Sequence, residues 1–200
     1  MGLISNGSTI FDAGAMSAGF GGSMVFIKKL TASSSSDLTF VNGASSVVLD
    51  GTYKEYLFLF KNIHSSNGGV TFRVNFRDGG SNYDAPKTGT LFYSTHGEDG
   101  TSASLTYEAS YDVAESTTPQ ILHDSHNDND ECISGYMCLY DPGNTTFVKH
   151  YLSRVFSTND NASDYYISGY NNVTAAIDAV QFTMSAGTID AGTICLYGIK

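Results

Sequence analysis

Val70-Thr71-Phe72-Arg73-Val74-Asn75-Phe76-Arg77 is the stretch that decides the fold. Val70, Phe72, Val74 and Phe76 alternate one for one with Thr71, Arg73, Asn75 and Arg77. A period of two places the apolar set on one face of a β-strand and the polar set on the other. The run therefore reads as a strand with one side on a core and one side toward water.

Working outward, Met24 to Leu30 and Asp37 to Val41 read as short strands, and Tyr53 to Ile63 as the strongest run. There Tyr56, Phe58 and Phe60 alternate with Leu57 and Leu59, which predicts a central strand covered on both sides. Leu105, Tyr107, Ala109 and Tyr111 alternate with Thr106, Glu108, Ser110 and Asp112, predicting another half-buried strand. Cys132 to Tyr140 and Thr145 to Phe156 read as a hairpin around Asp141-Pro142-Gly143-Asn144, since Pro and Gly favour a tight turn. Tyr165 to Tyr170, Ala179 to Met184 and Thr193 to Ile199 complete the set. No apolar stripe of helical spacing persists, so the prediction is an all-β, jelly-roll-like antiparallel β-sandwich over residues 24–200.

Residues 1–23 differ in kind. They hold six glycines and scattered apolar side chains, among them Ile10, Phe11, Met16 and Phe20. Such a segment has too little apolar surface to fold alone and reads as an extended arm that orders by docking on a neighbour.

Composition narrows the function. The chain has 200 residues, a charged fraction of only 15%, no Trp, and 13 Tyr with 12 Phe. Polarity comes from Ser, Thr and Asn, which favour turns and strand surfaces. A net charge of −10 with ten Lys and Arg argues against nucleic acid as a partner, because phosphate binding needs clustered cations. No apolar run approaches the roughly 20 residues of a membrane span. Cys132, Cys138 and Cys195 cannot all pair, and on one strand the first two would lie about 20 Å apart. Free thiols suit a chain folded in a reducing cytosol.

Motifs that carry chemistry are few. The run His123 to Glu131 is dense in carboxylates and imidazoles, and Asp124, Asp128 and Asp130 are weak candidates for a calcium site. Asn129 stands where an EF-hand needs glycine, so the run reads first as a solvated acidic loop. No nucleophile elbow, phosphate-binding loop or paired-histidine zinc helix occurs, which predicts neither an enzyme nor a cofactor. Tyr165, Tyr166 and Tyr170 are candidates for stacking on a glycan, against the plainer expectation that tyrosines in strands pack in the sheet.

Gly2-Leu3-Ile4-Ser5-Asn6-Gly7, the run Gly22 to Ser35, Tyr53-Lys54-Glu55-Tyr56, Phe60-Lys61-Asn62-Ile63-His64 and Ala191 to Ile199 together resemble small virion proteins of tailed phages of marine bacteria. In those proteins Lys or Arg commonly stands where this chain has Cys195. The resemblance covers most of the chain and implies a structural protein of a phage virion, made in the host cytoplasm, either decorating the capsid or associated with tail or fibre. Its implied partners are other virion proteins; the alternative, read from Tyr165, Tyr166 and Tyr170, is a receptor- or glycan-binding module of a tail fibre, and the lack of a long apolar run predicts no membrane partner. Sparse Pro and Lys leave strand edges weakly guarded, which predicts a homo-oligomer or multi-copy placement.

Overall fold

The computed structural model describes the backbone of residues 3–5, 8–12 and 15–16, and residues 22–200 in full. Near the N-terminus, β1 (Leu3–Ser5), β2 (Ser8–Asp12) and β3 (Ala15–Met16) pair in sequence order as a small antiparallel sheet. The side chains of Ile10, Phe11 and Met16, and the whole of Phe20, lie outside the described residues.

The body begins with β4 (Met24–Thr31), β5 (Asp37–Val41), β6 (Glu55–Ser65), β7 (Val70–Arg77) and β8 (Lys87–Gly97). It continues with β9 (Ala103–Tyr107), a 3-10 turn at Ala109–Tyr111, β10 (Val113–Ser116), β11 (Gln120–Ser125) and β12 (Ile133–Tyr140). The last four are β13 (Lys149–Thr158), β14 (Asn161–Asn171), β15 (Ala179–Met184) and β16 (Ile189–Ile199). Nine strands form a large antiparallel sheet in the order β10-β8-β14-β13-β12-β6-β16-β4, with β9 also on β8. Four form a small sheet, β11-β7-β15-β5. The two pack face to face as a β-sandwich, as the alternation at Val70–Arg77 requires. No helix of the described residues is long and apolar enough to cross a membrane.

The core lies between the sheets. Phe182 of the small sheet sits at its centre, with its ring centroid 5.2 Å from that of Phe60, 5.4 Å from Phe58 and 5.9 Å from Phe72. All four are buried. Edge-to-face and offset contacts of this kind add to the burial term at about 0.5–1.5 kcal/mol per pair.

Three expectations need correction. The central strand runs Glu55–Ser65 and is covered on one side only, because Tyr56, Phe58 and Phe60 face the small sheet while Leu57 and Leu59 face outward, half-buried. The alternation at Leu105 to Tyr111 does not mark a buried face: β9 stops at Tyr107, and Leu105 and Tyr107 are 75% and 63% exposed. Alternation produces burial only where a second layer lies over the strand, and four strands cannot cover nine. Finally, residues 123–125 are not loop but the end of β11, and His123 is 1% exposed.

Close packing at one end of the sandwich shapes the surface above it. Tyr151, Gly169 and Gly89 stand in register on β13, β14 and β8. A Cβ on Gly169 would lie 2.4 Å from the Tyr151 ring, so only glycine lets that buried ring lie flat beneath the strands. The Tyr151 hydroxyl donates to Gln120 Oε1 at 3.1 Å.

The neighbouring row is Lys149, Asn171 and Lys87, all fully buried. Lys87 Nζ donates to the carbonyls of Thr118 (3.0 Å) and Ser116 (3.4 Å). Lys149 Nζ donates to those of Asn144, Val173 and Phe147. Each ammonium ties together chain segments at this end of the sandwich.

Candidate functional site

Among the described residues nine large apolar side chains are exposed. Eight of them, Met24, Phe26, Phe92, Leu105, Tyr107, Tyr136, Leu152 and Phe156, point from the outer face of the large sheet; only Phe147 sits in a loop. Scattered exposed apolar groups are ordinary, but this concentration on one face marks a surface built for contact.

Strand register organises that face into rows. Tyr107, Phe92, Tyr166, Arg154 and Tyr136 pair successively across β9, β8, β14, β13 and β12. They form a ridge: the Phe92 and Tyr166 rings stack at 4.9 Å and 2°, and the Arg154 guanidinium lies 5.0 Å from the Tyr166 ring centre on the β13 side. Asp164 fastens the ridge, accepting from Arg154 Nη2 at 2.7 Å, from Arg154 Nε at 3.1 Å and from the Tyr166 hydroxyl at 3.1 Å.

Beside the ridge, Thr90, Ser168 and Leu152 stand in register as a floor of smaller side chains. Beyond the floor rise Thr88, Tyr170 and His150, with Tyr140 at the end of β12. The result is a trough of about 670 Å³ running across the strands, closed near β10 by Asp112, Val113 and Ala114. A second hollow shares Leu152 and Ser168 and continues the trough along the ridge. Asp112 shapes the closed end, accepting from the Leu91 amide at 3.1 Å and from the Tyr107 hydroxyl.

A second polar cluster lies between the sheets. Asp124 accepts hydrogen bonds from the hydroxyls of Tyr111 and Tyr165, both at 2.6 Å. Burial, reinforced by the adjacent carboxylate, pushes both phenols well above their ordinary range. The Tyr165 ring is sandwiched between His123 (4.0 Å) and Tyr93 (4.7 Å). His123 Nδ1 lies 2.6 Å from the Asp124 carbonyl and Nε2 3.3 Å from that of Ser163, so both ring nitrogens face main-chain oxygens. Burial holds its pKa below the usual imidazole value.

The candidates from sequence thus separate. Tyr166 and Tyr170 are on the outer face, whereas Tyr165 is only 4% exposed and has no face to offer a sugar. Tyr166 has Phe92 on one side and Arg154 on the other, which leaves it a wall rather than a platform. Asp124 is committed to two tyrosines, while Asp128 and Asp130 lie exposed in the following loop. Among the described residues no three His, Cys, Asp or Glu side chains gather as a metal site. Cys132, Cys138 and Cys195 are all free thiols.

Sequence reading did not single out Phe92, Tyr107, Leu152, Arg154 or Ser168 for the site. The parity of β14, where Tyr166, Ser168 and Tyr170 share a face that excludes Tyr165, was the available signal. Compared with protein families, curated proteins and solved structures, the chain finds no match.

Proposed function

We propose that this protein is a non-enzymatic structural and binding protein of a phage particle, attached by residues 1–23 and presenting the outer face of its large sheet for recognition of the host surface. The observation that carries the reading is the gathering of eight exposed large apolar side chains on one face, four of which, Phe92, Tyr107, Tyr136 and Leu152, line the trough and its continuation. An exposed apolar concentration of this kind marks a contact surface, and left without a partner it risks aggregation. The net charge of −10 keeps the rest of the surface solvated. The resemblance of Gly2 to Gly7, Gly22 to Ser35, Tyr53 to Tyr56, Phe60 to His64 and Ala191 to Ile199 to small virion proteins supports the particle setting, as capsid decoration or tail-associated protein. Self-association belongs to the same proposal: among the described residues β4 pairs only with β16, leaving its outer rim for a strand of a second copy.

Adhesion of the purified full chain to cells of the host bacterium tests this. Leu152→Asp with Phe156→Asp, both at exposed positions, is expected to abolish adhesion while leaving the fold intact. Undiminished adhesion by that variant would remove the outer face from the account.

A further inference from the structure

Resting on that recognition role, we infer that the trough takes a neutral, extended oligosaccharide that lies across the strands, along the floor of Thr90, Ser168 and Leu152. Three features of the site select this occupant.

The first is charge. Arg154 is the cation of the ridge, and Asp164 holds it with two of its guanidinium nitrogens. Asp112, the carboxylate at the closed end, already accepts from the Leu91 amide and the Tyr107 hydroxyl. The trough therefore offers an anionic ligand no unpaired Arg or Lys, the Asp112 carboxylate keeps its negative charge because both of its donors are neutral, and an overall charge of −10 adds to the repulsion of polyanions.

The second is hydrogen-bonding capacity. The strands that floor the trough are paired on both sides, so their main-chain groups are spent in the ladder and an extended peptide finds no strand partner there. The side chains that face the trough are hydroxyl and imidazole: Ser168, Tyr170 and His150, with Thr88, which accepts from the Glu115 amide and keeps its own proton to donate, and Thr90, which donates to the Tyr107 hydroxyl and keeps its lone pairs to accept. A hydroxyl donates and accepts at once, which matches the hydroxyl groups of a sugar.

The third is spacing and shape. Successive floor residues are one strand apart, about 4.8 Å, close to the length of one pyranose unit, so a chain across the strands meets an equivalent position at each sugar. Tyr107 stands at one end of the ridge, its hydroxyl tied to Asp112, and no described aromatic ring stacks on it. It is a ring available for the apolar C–H face of a sugar, in place of Tyr165 or Tyr166, with Tyr170 and Tyr140 across the floor.

Calorimetric titration of the full chain tests the inference, with cellohexaose, maltohexaose and laminarihexaose as neutral probes. Oligogalacturonate and a sulfated hexasaccharide serve as anionic probes, and an uncharged extended peptide as the third class. The expected result is binding of at least one neutral hexasaccharide, insensitive to salt. Its affinity should fall about tenfold or more in Ser168→Phe, which fills the floor, and in Tyr107→Ala. Tyr107 is an exposed edge residue, so its variant tests the site even if Ser168→Phe misfolds. No neutral binding at millimolar concentration, binding confined to the anionic probes or the peptide, or full affinity in Tyr107→Ala would overturn the inference. If Leu152→Asp with Phe156→Asp abolishes cell adhesion but no neutral probe binds, the recognition face stands and only its occupant is wrong. If adhesion is also unchanged, both readings fall.

Discussion

Phe92 and Tyr166 stack face to face across β8 and β14, with ring centres 4.9 Å apart and planes within 2°. Because Arg154 covers Tyr166 from the next strand, the three side chains form one rigid wall of the trough. A double-mutant cycle with Phe92→Leu and Tyr166→Leu is expected to give a coupling of about 0.5–1.5 kcal/mol in denaturant unfolding. Additive effects would mean that the stack does not persist in solution.

Lys87 is fully buried beside β10 with only carbonyl partners, and burial lowers its pKa to about 8, with Asp84 opposing. A lysine whose folded pKa lies below its unfolded value makes the protein less stable when charged, so stability should rise with pH from about 8 toward the unfolded value of 10.5. The full gain is bounded at about 3 kcal/mol. Unfolding measured between neutral pH and the onset of tyrosine ionisation should show this rise, and Lys87→Met should flatten it. An unchanged slope in the variant would show that Lys87 is solvated.

Two histidines act in opposite directions. Burial works to lower the pKa of His64, but Asp190, 2.7 Å from Nδ1, and the Asp128 carbonyl outweigh it and hold the pKa above 6.5. Its contribution is fully present below pH 6.5 and is lost as pH rises through the folded value. His64→Gln should therefore cost more stability near pH 5.5 than near pH 8. His123 is lowered by burial, so its neutral form is favoured in the fold and stability falls as pH drops below 6.5. His123→Phe, which preserves a ring against Tyr165, should weaken that acid loss. Thermal unfolding of both variants across this range decides it, and parallel profiles for the two would contradict the assignment.

What was legible in sequence follows from where a second layer lies. Val70–Arg77 and Ala179–Met184 read correctly because their apolar faces are clamped between sheets, and β12 and β13 pair as a hairpin as expected, but β13 starts at Lys149 rather than Thr145, because Asn144 Oδ1 accepts from the Thr146 and Phe147 amides and holds 145–148 out of the ladder. Lys87–Gly97 escaped because Gly89 and the buried Lys87 break its pattern, the first to admit Tyr151 and the second to pin a loop. At Leu105 and Tyr107 the alternation was real, but no layer covers it. The candidate site was half legible. Tyr166 and Tyr170 were named, yet their neighbours on the trough come from β8, β9, β12 and β13, and only register joins them.

Cryo-electron microscopy of the whole phage particle tests the central claim, that the outer face of the large sheet is the recognition surface of an arm-attached protein. The account predicts density for residues 1–23 against a neighbouring particle protein, with Ser168, Leu152 and Tyr107 open to solvent on the side away from the particle. A particle in which that face is covered by another virion protein, or from which this chain is missing, would contradict it.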